Sequence, residues 1–187
     1  MRLEVTPSFI SVSECAFLNS WVHEGVDKKW LDRGLDAKGF FVNERLTSRL
    51  YGERYTFPEE VIALSNRIRA FVGIDKYPLI HNNGKNGVVV SFTKPGGDVH
   101  KHKDPRWNGM SALRCNIMTQ EAEENAELFV NGKKVNIKAG DLHCYLASDF
   151  EHYVTKVKGN TPRILWMFGA YVPKTDWESG KIKYGSS

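Results

Sequence analysis

The sequence predicts a mainly β domain whose helices are confined to its N-terminal portion. Two observations carry this: helical apolar spacing with capping signals occurs only before residue 76, and short apolar runs separated by turn residues fill the chain from Tyr77 onward. The order, helices first and strands afterwards, argues against alternating β-α units and for an antiparallel sandwich or barrel. The chain has 187 residues, 41% hydrophobic and 26% charged, close to the globular average, which excludes disorder, collagen-like repeats and coiled coil. A chain of this length buries about 70% of its unfolded surface and needs no disulfide or structural metal to fold.

Ser11 with Glu14 three residues on is a capping-box pattern, and Ala16, Phe17, Trp21 and Val22 then recur at helical spacing up to Gly25, predicting a first helix. Thr56-Phe57-Pro58-Glu59 puts a proline in the first turn of a second helix, carried by Val61, Ile62, Leu64, Ile68 and Phe71 and stopped by Gly73. Between them, Val26 to Tyr55 mixes Gly34, Gly39 and Gly52 with charges and a Phe40-Phe41-Val42 patch, and reads as a long loop with short strands. From Tyr77 the pattern is β. Leu79-Ile80-His81 and Val88 to Phe92 flank Asn82-Asn83-Gly84-Lys85-Asn86-Gly87, a polar hairpin connection. Further runs follow at Ala112 to Met118, Glu127 to Val130, Lys134 to Ile137, Asp141 to Leu146, His152 to Val157 and Ile164 to Val172. Asn131-Gly132 between two of them is the strongest short-range hairpin signal in the chain. The organisation expected is a single domain, 1–187, with a helical segment over 1–76, a β core over 77–173 and a loosely held polar tail over 174–187.

Lys+Arg total 26 against 22 Asp+Glu, a formal charge of +4, which is too small to point to nucleic acid, where a concentrated basic patch is needed. Cys15, Cys115 and Cys144 cannot all pair and form no Cys-x-x-Cys, so neither a disulfide framework nor a zinc ribbon is supported. The start of the chain lacks the apolar core of a signal peptide, and no apolar run approaches the ~18 residues of a membrane span. No membrane partner and a cytoplasmic location are therefore expected, with the oligomeric state open.

The chemistry concentrates in Lys94-Pro95-Gly96-Gly97-Asp98-Val99-His100-Lys101-His102-Lys103-Asp104. In an extended strand His102 and Asp104, about 7 Å apart along the backbone, point the same way and can reach one ion. Imidazole and carboxylate suit a ferrous ion, and two histidines with one carboxylate leave positions open for substrates. His152, at the start of a β run, supplies the third ligand. Arg163 opens the last long strand, and the apolar run behind it, Ile164-Leu165-Trp166-Met167-Phe168, marks that strand as central. A buried guanidinium there is poised to hold a carboxylate bidentately, as a dicarboxylic cosubstrate would provide.

Other polar residues have two readings. His100 shares the face of His102, and His100, His102 and His152 would make a three-histidine, cupin-like site. His143 reads as a packed core histidine, and His23 and His81 receive no role. Arg114 and Asn116 alternate with Leu113, Cys115 and Ile117, so they face one way. If that face lines the barrel they hydrogen-bond cosubstrate or substrate; if not, they are surface residues. Arg106 and Trp107 follow the ligands in Pro105-Arg106-Trp107-Asn108-Gly109, a loop at the site mouth where they would contact substrate, with aromatic loop packing the plainer role for Trp107.

With these residues in place the chain resembles the Fe(II)/2-oxoglutarate-dependent dioxygenases, and within them the prolyl 4-hydroxylase-like group. Val12-Ser13-Glu14-Cys15 is similar to the group's helix opening, and Phe92-Thr93-Lys94-Pro95-Gly96-Gly97 to the strand and turn before its metal motif. Ala139-Gly140-Asp141-Leu142-His143-Cys144-Tyr145 resembles the strand that precedes the distal histidine. The resemblance implies a double-stranded β-helix core, a jelly roll of cupin-like form, with helices packed on one sheet. It implies Fe(II) held by His102, Asp104 and His152 as the catalytic constellation, and the distal carboxylate of 2-oxoglutarate on Arg163. O2 would be the second cosubstrate and ascorbate a candidate reductant. Phe92 stands near the position where the group usually carries a tyrosine that helps to hold the cosubstrate, and with Asn116 is the candidate for that task. The implied reaction is hydroxylation of an aliphatic carbon, first of a protein or peptide residue such as proline, with release of succinate and CO2. A free amino acid or small metabolite is the alternative substrate, and a non-oxidative cupin-like metal-binding module the alternative class. By analogy the Val26 to Tyr55 loop, with Phe40, Phe41, Arg45 and Arg49, would be a substrate lid.

Overall fold

The architecture is that of a computed structural model, which describes residues 1–36, 38–48, 56–80 and 87–185. In chain order the elements are β1 (Leu3–Thr6), α1 (Val12–Asp27), β2 (Asp32–Leu35), β3 (Phe41–Thr47), α2 (Glu59–Val72), β4 (Val89–Thr93), β5 (Val99–His102) and β6 (Ser111–Gln120). Then follow β7 (Glu124–Asn125), β8 (Leu128–Val130), β9 (Lys133–Val135), β10 (Leu142–Leu146), β11 (His152–Val154), β12 (Val157–Lys158), β13 (Arg163–Val172) and α3 (Lys174–Glu178).

Local chemistry sets the helix ends. Ser11 Oγ accepts the Glu14 N–H at 3.2 Å while the Ser11 N–H donates to the Glu14 carboxylate at 2.8 Å, so the capping box forms as expected. Helix α1 passes through Gly25, which is buried, and ends two residues later. Pro58 precedes α2, and Gly73 ends it at φ +76°, a conformation open to glycine without penalty.

The strands form a seven-stranded sheet in the order β1-β10-β6-β13-β4-β3-β2 and a four-stranded sheet in the order β5-β11-β8-β9, with β7 and β12 as a separate pair. All pairings are antiparallel. From β4 onward the chain alternates between the sheets: β4, β6, β10 and β13 join the large one, and β5, β8–β9 and β11 the small one. Two facing four-stranded sheets wound in this way are a double-stranded β-helix, and β1, β2 and β3 extend the large sheet. Asn131 and Gly132 both take positive φ, 51° and 74°, in the two-residue turn joining β8 to β9.

Side-chain alternation divides the large sheet into two faces. Ile164, Trp166, Phe168, Ala170 and Val172 of β13 join Val22 of α1 and Val61 and Ile68 of α2 in the main apolar core, while Arg163, Leu165 and Met167 face the small sheet. Trp21 of α1 sets its ring 5.5 Å from that of Trp166. Gly169 lets β13 lie close on β6: a Cβ there would stand 2.0 Å from the Leu113 carbonyl oxygen.

Three expectations change. Residues 3–6, too short to show a period, form an edge strand on β10. The short strands expected between the helices are present as a hairpin, β2–β3, that extends the large sheet through β3 and β4. Leu79 makes one bridge, to Ala170, rather than a strand; His81 and residues 82–86 of the expected connection lie outside the described residues. The stretch after Pro173 is not loosely held. Trp177 of α3 is fully buried, donates Nε1–H to the Arg2 carbonyl at 3.2 Å and lies under the Arg2 guanidinium at 4.1 Å, and Ile182 is buried beside it. Among the described residues no helix is long and apolar enough to cross a membrane.

Candidate metal centre

His102 ends β5, Asp104 follows two residues later, and His152 opens β11. The register of the two strands sets His152 opposite His102, with ring centroids 4.3 Å apart. One potential ligand atom from each of the three residues lies within 4.8 Å of the others. Asp104 Oδ1 is 3.6 Å from His102 Nε2 and 4.0 Å from His152 Nε2.

The surroundings aim these atoms. With Nδ1 protonated, each histidine donates to a carbonyl two residues back: His102 to His100 at 2.7 Å and His152 to Phe150 at 3.1 Å. That leaves both Nε2 lone pairs facing Asp104. Arg114 donates Nε–H to Asp104 Oδ2 at 2.5 Å, so Oδ1 is the oxygen turned to the histidines. Burial pushes the Asp104 carboxyl up, but the Arg114 guanidinium and then the two histidines outweigh it and hold it below the usual carboxylate range. Burial lowers both imidazoles, His152 to about 4 with help from His102. Neutral imidazoles and an ionised carboxylate are the forms that ligate. Two histidines and one carboxylate on one side of a cavity fit a ferrous ion with open positions.

That cavity, about 460 Å³, lies between the sheets, with the triad on one wall. Arg163 faces it from β13. The residue is 1% exposed, and neither Nε nor Nη2 has a hydrogen-bond partner. Burial lowers its pKa to about 10, Tyr145 opposing and Arg45 adding to the shift. A buried guanidinium so placed costs stability until an anion meets it, and its planar fork matches a carboxylate. The residues therefore fit a dicarboxylic cosubstrate as well as a metal. Asn116, almost fully buried, lines the same cavity; its Nδ2 donates to His143 Nε2 at 3.3 Å and its Oδ1 has no partner.

Of the nine residues assigned from the sequence to the metal, the cosubstrate or direct substrate contact, six line this cavity: His102, Asp104, His152, Arg163, Asn116 and Arg114. Three do not. Phe92 is 4% exposed in the helix-side core, its ring edge-on to His23 at 5.6 Å. On β4 it shares parity with Val88 and Val90, so Ser91 and not Phe92 lines the cavity. Arg106 pairs with Asp149 at 2.6 Å, and Trp107 packs on Tyr171 at 5.5 Å. Their loop is drawn towards Asp149 and the end of β13 instead of the cavity.

His100 lines the cavity, but its role in the metal group is the carbonyl that fixes His102; the ligand cluster is His102, Asp104 and His152, which sets aside the three-histidine arrangement. His143 is a core histidine that also lines the cavity, its pKa pushed to about 3 by burial and then by Arg163. In the segment expected as a lid, Phe40 and Phe41 are exposed, Arg45 lines the cavity and Arg49 lies outside the described residues. Lys103 and Tyr145 also line the cavity, and no sequence pattern had singled them out. Tyr145 could have been found by its parity with His143 on β10.

No family model and no curated protein sequence matches the chain. Solved structures do. The viral collagen prolyl hydroxylase of Paramecium bursaria Chlorella virus 1, in its 2-oxoglutarate complex, superposes with a TM-score of 0.64 at 18% identity over 92% of this chain and 97% of that one. A prolyl-4-hydroxylase of Pseudomonas putida gives 0.65 at 12% identity, covering 91% and 92%. A Trichoplax adhaerens prolyl hydroxylase, in complex with a hypoxia-inducible factor oxygen degradation domain peptide, gives 0.65 at 14%, covering 90% and 83%. Over nearly its whole length, the chain has the double-stranded β-helix fold of these prolyl hydroxylase structures.

Proposed function

We propose that the protein is an iron(II)- and 2-oxoglutarate-dependent oxygenase that hydroxylates an aliphatic carbon. The observation that carries this is the pairing, in one cavity, of a two-histidine, one-carboxylate cluster with a buried guanidinium that has unpartnered donors. When bound, iron(II) and 2-oxoglutarate supply oxygen activation coupled to decarboxylation, with succinate and CO2 released. The chain's own residues do the positioning. His102, Asp104 and His152 hold the metal on the small sheet, Arg114 keeps Asp104 ionised and oriented, and Arg163 seats the distal carboxylate from the large sheet. The apolar wall, with Val99, Leu128 and Val154 of the small sheet and Leu165 of the large one, limits water around the reacting atoms.

A protein or peptide residue, proline first, is the substrate class favoured by the fold shared with prolyl hydroxylases, and the cytoplasm, where the three buried free cysteines stay reduced, is the setting. The test is Fe(II)-dependent conversion of 2-oxoglutarate to succinate over a panel of proline peptides and free amino acids, with a product mass gain of about 16 Da for the inserted oxygen. His102→Ala and Asp104→Ala abolish turnover. Turnover at the wild-type level in either variant refutes the site.

A further inference from the structure

We infer that Ser148 and Asp149, in the turn between β10 and β11, are positioning residues of the metal centre: they hold the Asp104 carboxylate where it and His152 can ligate one ion. This rests on the oxygenase reading and adds to its site two residues that do not line the cavity. The first observation is how Asp104 is held. His102 and His152 stand on paired strands, but β5 ends at His102 and Asp104 lies two residues beyond the ladder. Arg114 turns its carboxylate; the turn fixes its backbone. The Ala147 carbonyl accepts the Asp104 N–H at 3.0 Å, and the Ala147 N–H donates to the Ala112 carbonyl at 2.8 Å. Ser148, 7% exposed, donates Oγ–H to the Pro105 carbonyl at 3.0 Å and accepts the Ala112 N–H at 2.9 Å. The Asp149 carboxylate, buried, receives Arg106 at 2.6 Å, the Ser111 hydroxyl, and the Lys174 ammonium at 3.3 Å. The chain from Asp104 to Ala112 is thus closed at both its ends on residues 147–149.

The second observation is that the same turn aims His152. The N–H groups of Asp149 and Phe150 both donate to the Leu146 carbonyl, at 3.1 and 3.0 Å. That fixes Phe150, whose carbonyl accepts Nδ1–H of His152 at 3.1 Å. Asp104 and His152 are therefore both placed by one short hydrogen-bonded segment, and Asp104 Oδ1 stands 4.0 Å from His152 Nε2. Ser148 Oγ is the centre of this clasp: without it the Ala112 N–H and the Pro105 carbonyl each lose a partner. Groups that orient metal ligands from behind typically carry about 10–100-fold in metal affinity.

Titration with Mn(II), a redox-silent substitute for iron, tests this, with the free ion read by electron paramagnetic resonance and folding checked by circular dichroism. Ser148→Ala weakens Mn(II) binding by about 10–100-fold, and Ser148→Thr, which keeps the hydroxyl, falls between it and wild type. Asp149→Asn, which keeps the side chain's shape and removes its charge, weakens binding by at least about threefold. Ile68→Ala, in the helix-side core of α2, lowers Tm, yet the folded variant binds Mn(II) within about twofold of wild type, which separates lost stability from lost placement. Affinity within about twofold of wild type in both Ser148→Ala and Asp149→Asn, or a loss in Ile68→Ala as large as theirs, overturns the inference. If Ser148→Ala does not fold, Asp149→Asn decides it alone. Adding 2-oxoglutarate to the Mn(II)-loaded wild type reports on the oxygenase reading separately. Wild type that binds Mn(II) but not 2-oxoglutarate sinks that reading and leaves the clasp to the variants; wild type that binds no Mn(II) overturns both.

Discussion

Replacing Arg163 by methionine should make the protein more stable and less able to bind its cosubstrate, two effects of opposite sign from one atom group. The guanidinium is 1% exposed with two nitrogens unpartnered, so it is a buried charge that no carboxylate among the described residues pairs with. An apolar side chain of similar length relieves that cost by about 1–3 kcal/mol, judged from replacements of buried ionic groups. For a chain of this size each kcal/mol moves Tm by about 2–4 °C, so Arg163→Met without 2-oxoglutarate should melt several degrees above wild type. Two charge-assisted hydrogen bonds to a carboxylate are worth about 1.5–3 kcal/mol each, so the variant binds 2-oxoglutarate roughly 10²–10⁴-fold more weakly. The assay is thermal unfolding of Mn(II)-loaded protein with and without 2-oxoglutarate. At a hundred times the wild-type Kd the ligand adds about 2.7 kcal/mol, a rise of roughly 5–10 °C in wild type, and adds at most about 1–2 °C in Arg163→Met. Arg163→Lys, which keeps the charge and loses the fork, falls between them. A variant that melts well below wild type and still shows the full ligand-induced rise would refute the reasoning, because the guanidinium would then be a structural group.

Arg114→Met removes the partner of Asp104 Oδ2 and should weaken Mn(II) binding by about 10–100-fold, read by the free-ion signal in electron paramagnetic resonance; unchanged affinity would show that Arg114 does not orient the ligand. His143 is buried with its pKa pushed to about 3, below its ordinary value of about 6.5. The stability tied to its neutral form is therefore complete above about pH 6.5 and is lost as pH falls towards 3, by up to about 1.4 kcal/mol per pH unit. Urea unfolding at pH 7 and pH 5 should show wild type losing about 2 kcal/mol more than His143→Asn; equal losses would mean that the ring is not held neutral. Trp177→Ala empties a fully buried site under Arg2 and should cost about 3–5 kcal/mol, whereas a loosely held tail would lose almost nothing in the same unfolding experiment.

The candidate metal ligands were legible because they are nearly local. His102 and Asp104 are two apart on an extended segment, a spacing whose geometry needs no knowledge of the fold. Arg163 could be placed because the apolar run behind it marked a central strand, and Arg114 with Asn116 because strict alternation puts them on one face. The same parity rule assigns Phe92 to the helix side with Val88 and Val90, where the family resemblance alone had made it a candidate for holding the cosubstrate. Arg106 and Trp107 could not be placed by any local rule. Their partners, Asp149 and Tyr171, lie far along the chain, and a loop follows its contacts, not a period. The docked tail is similar: Trp177 is held by Arg2 from the opposite end of the sequence.

The two sheets divide the chemistry by a physical necessity. Metal ligands need a short, stiff frame, and adjacent β5 and β11 provide it by bringing two histidines into register. The anion-binding groups need burial to be selective, and burial of unpartnered donors destabilises the fold that holds them. The large sheet can carry that load because its other face is apolar along the same strands. Ile164, Trp166 and Phe168 alternate with Arg163, Leu165 and Met167, and the first three are fully buried against the helices. Burial of such side chains contributes about 1.5–3 kcal/mol each, which offsets orphaned polar atoms at Arg163, Thr93 and His143 on the cavity side. A truncation on the helix face, such as Trp166→Ala, would therefore weaken the platform of the anion site without touching the cavity, while the histidine pair on the small sheet would keep its register.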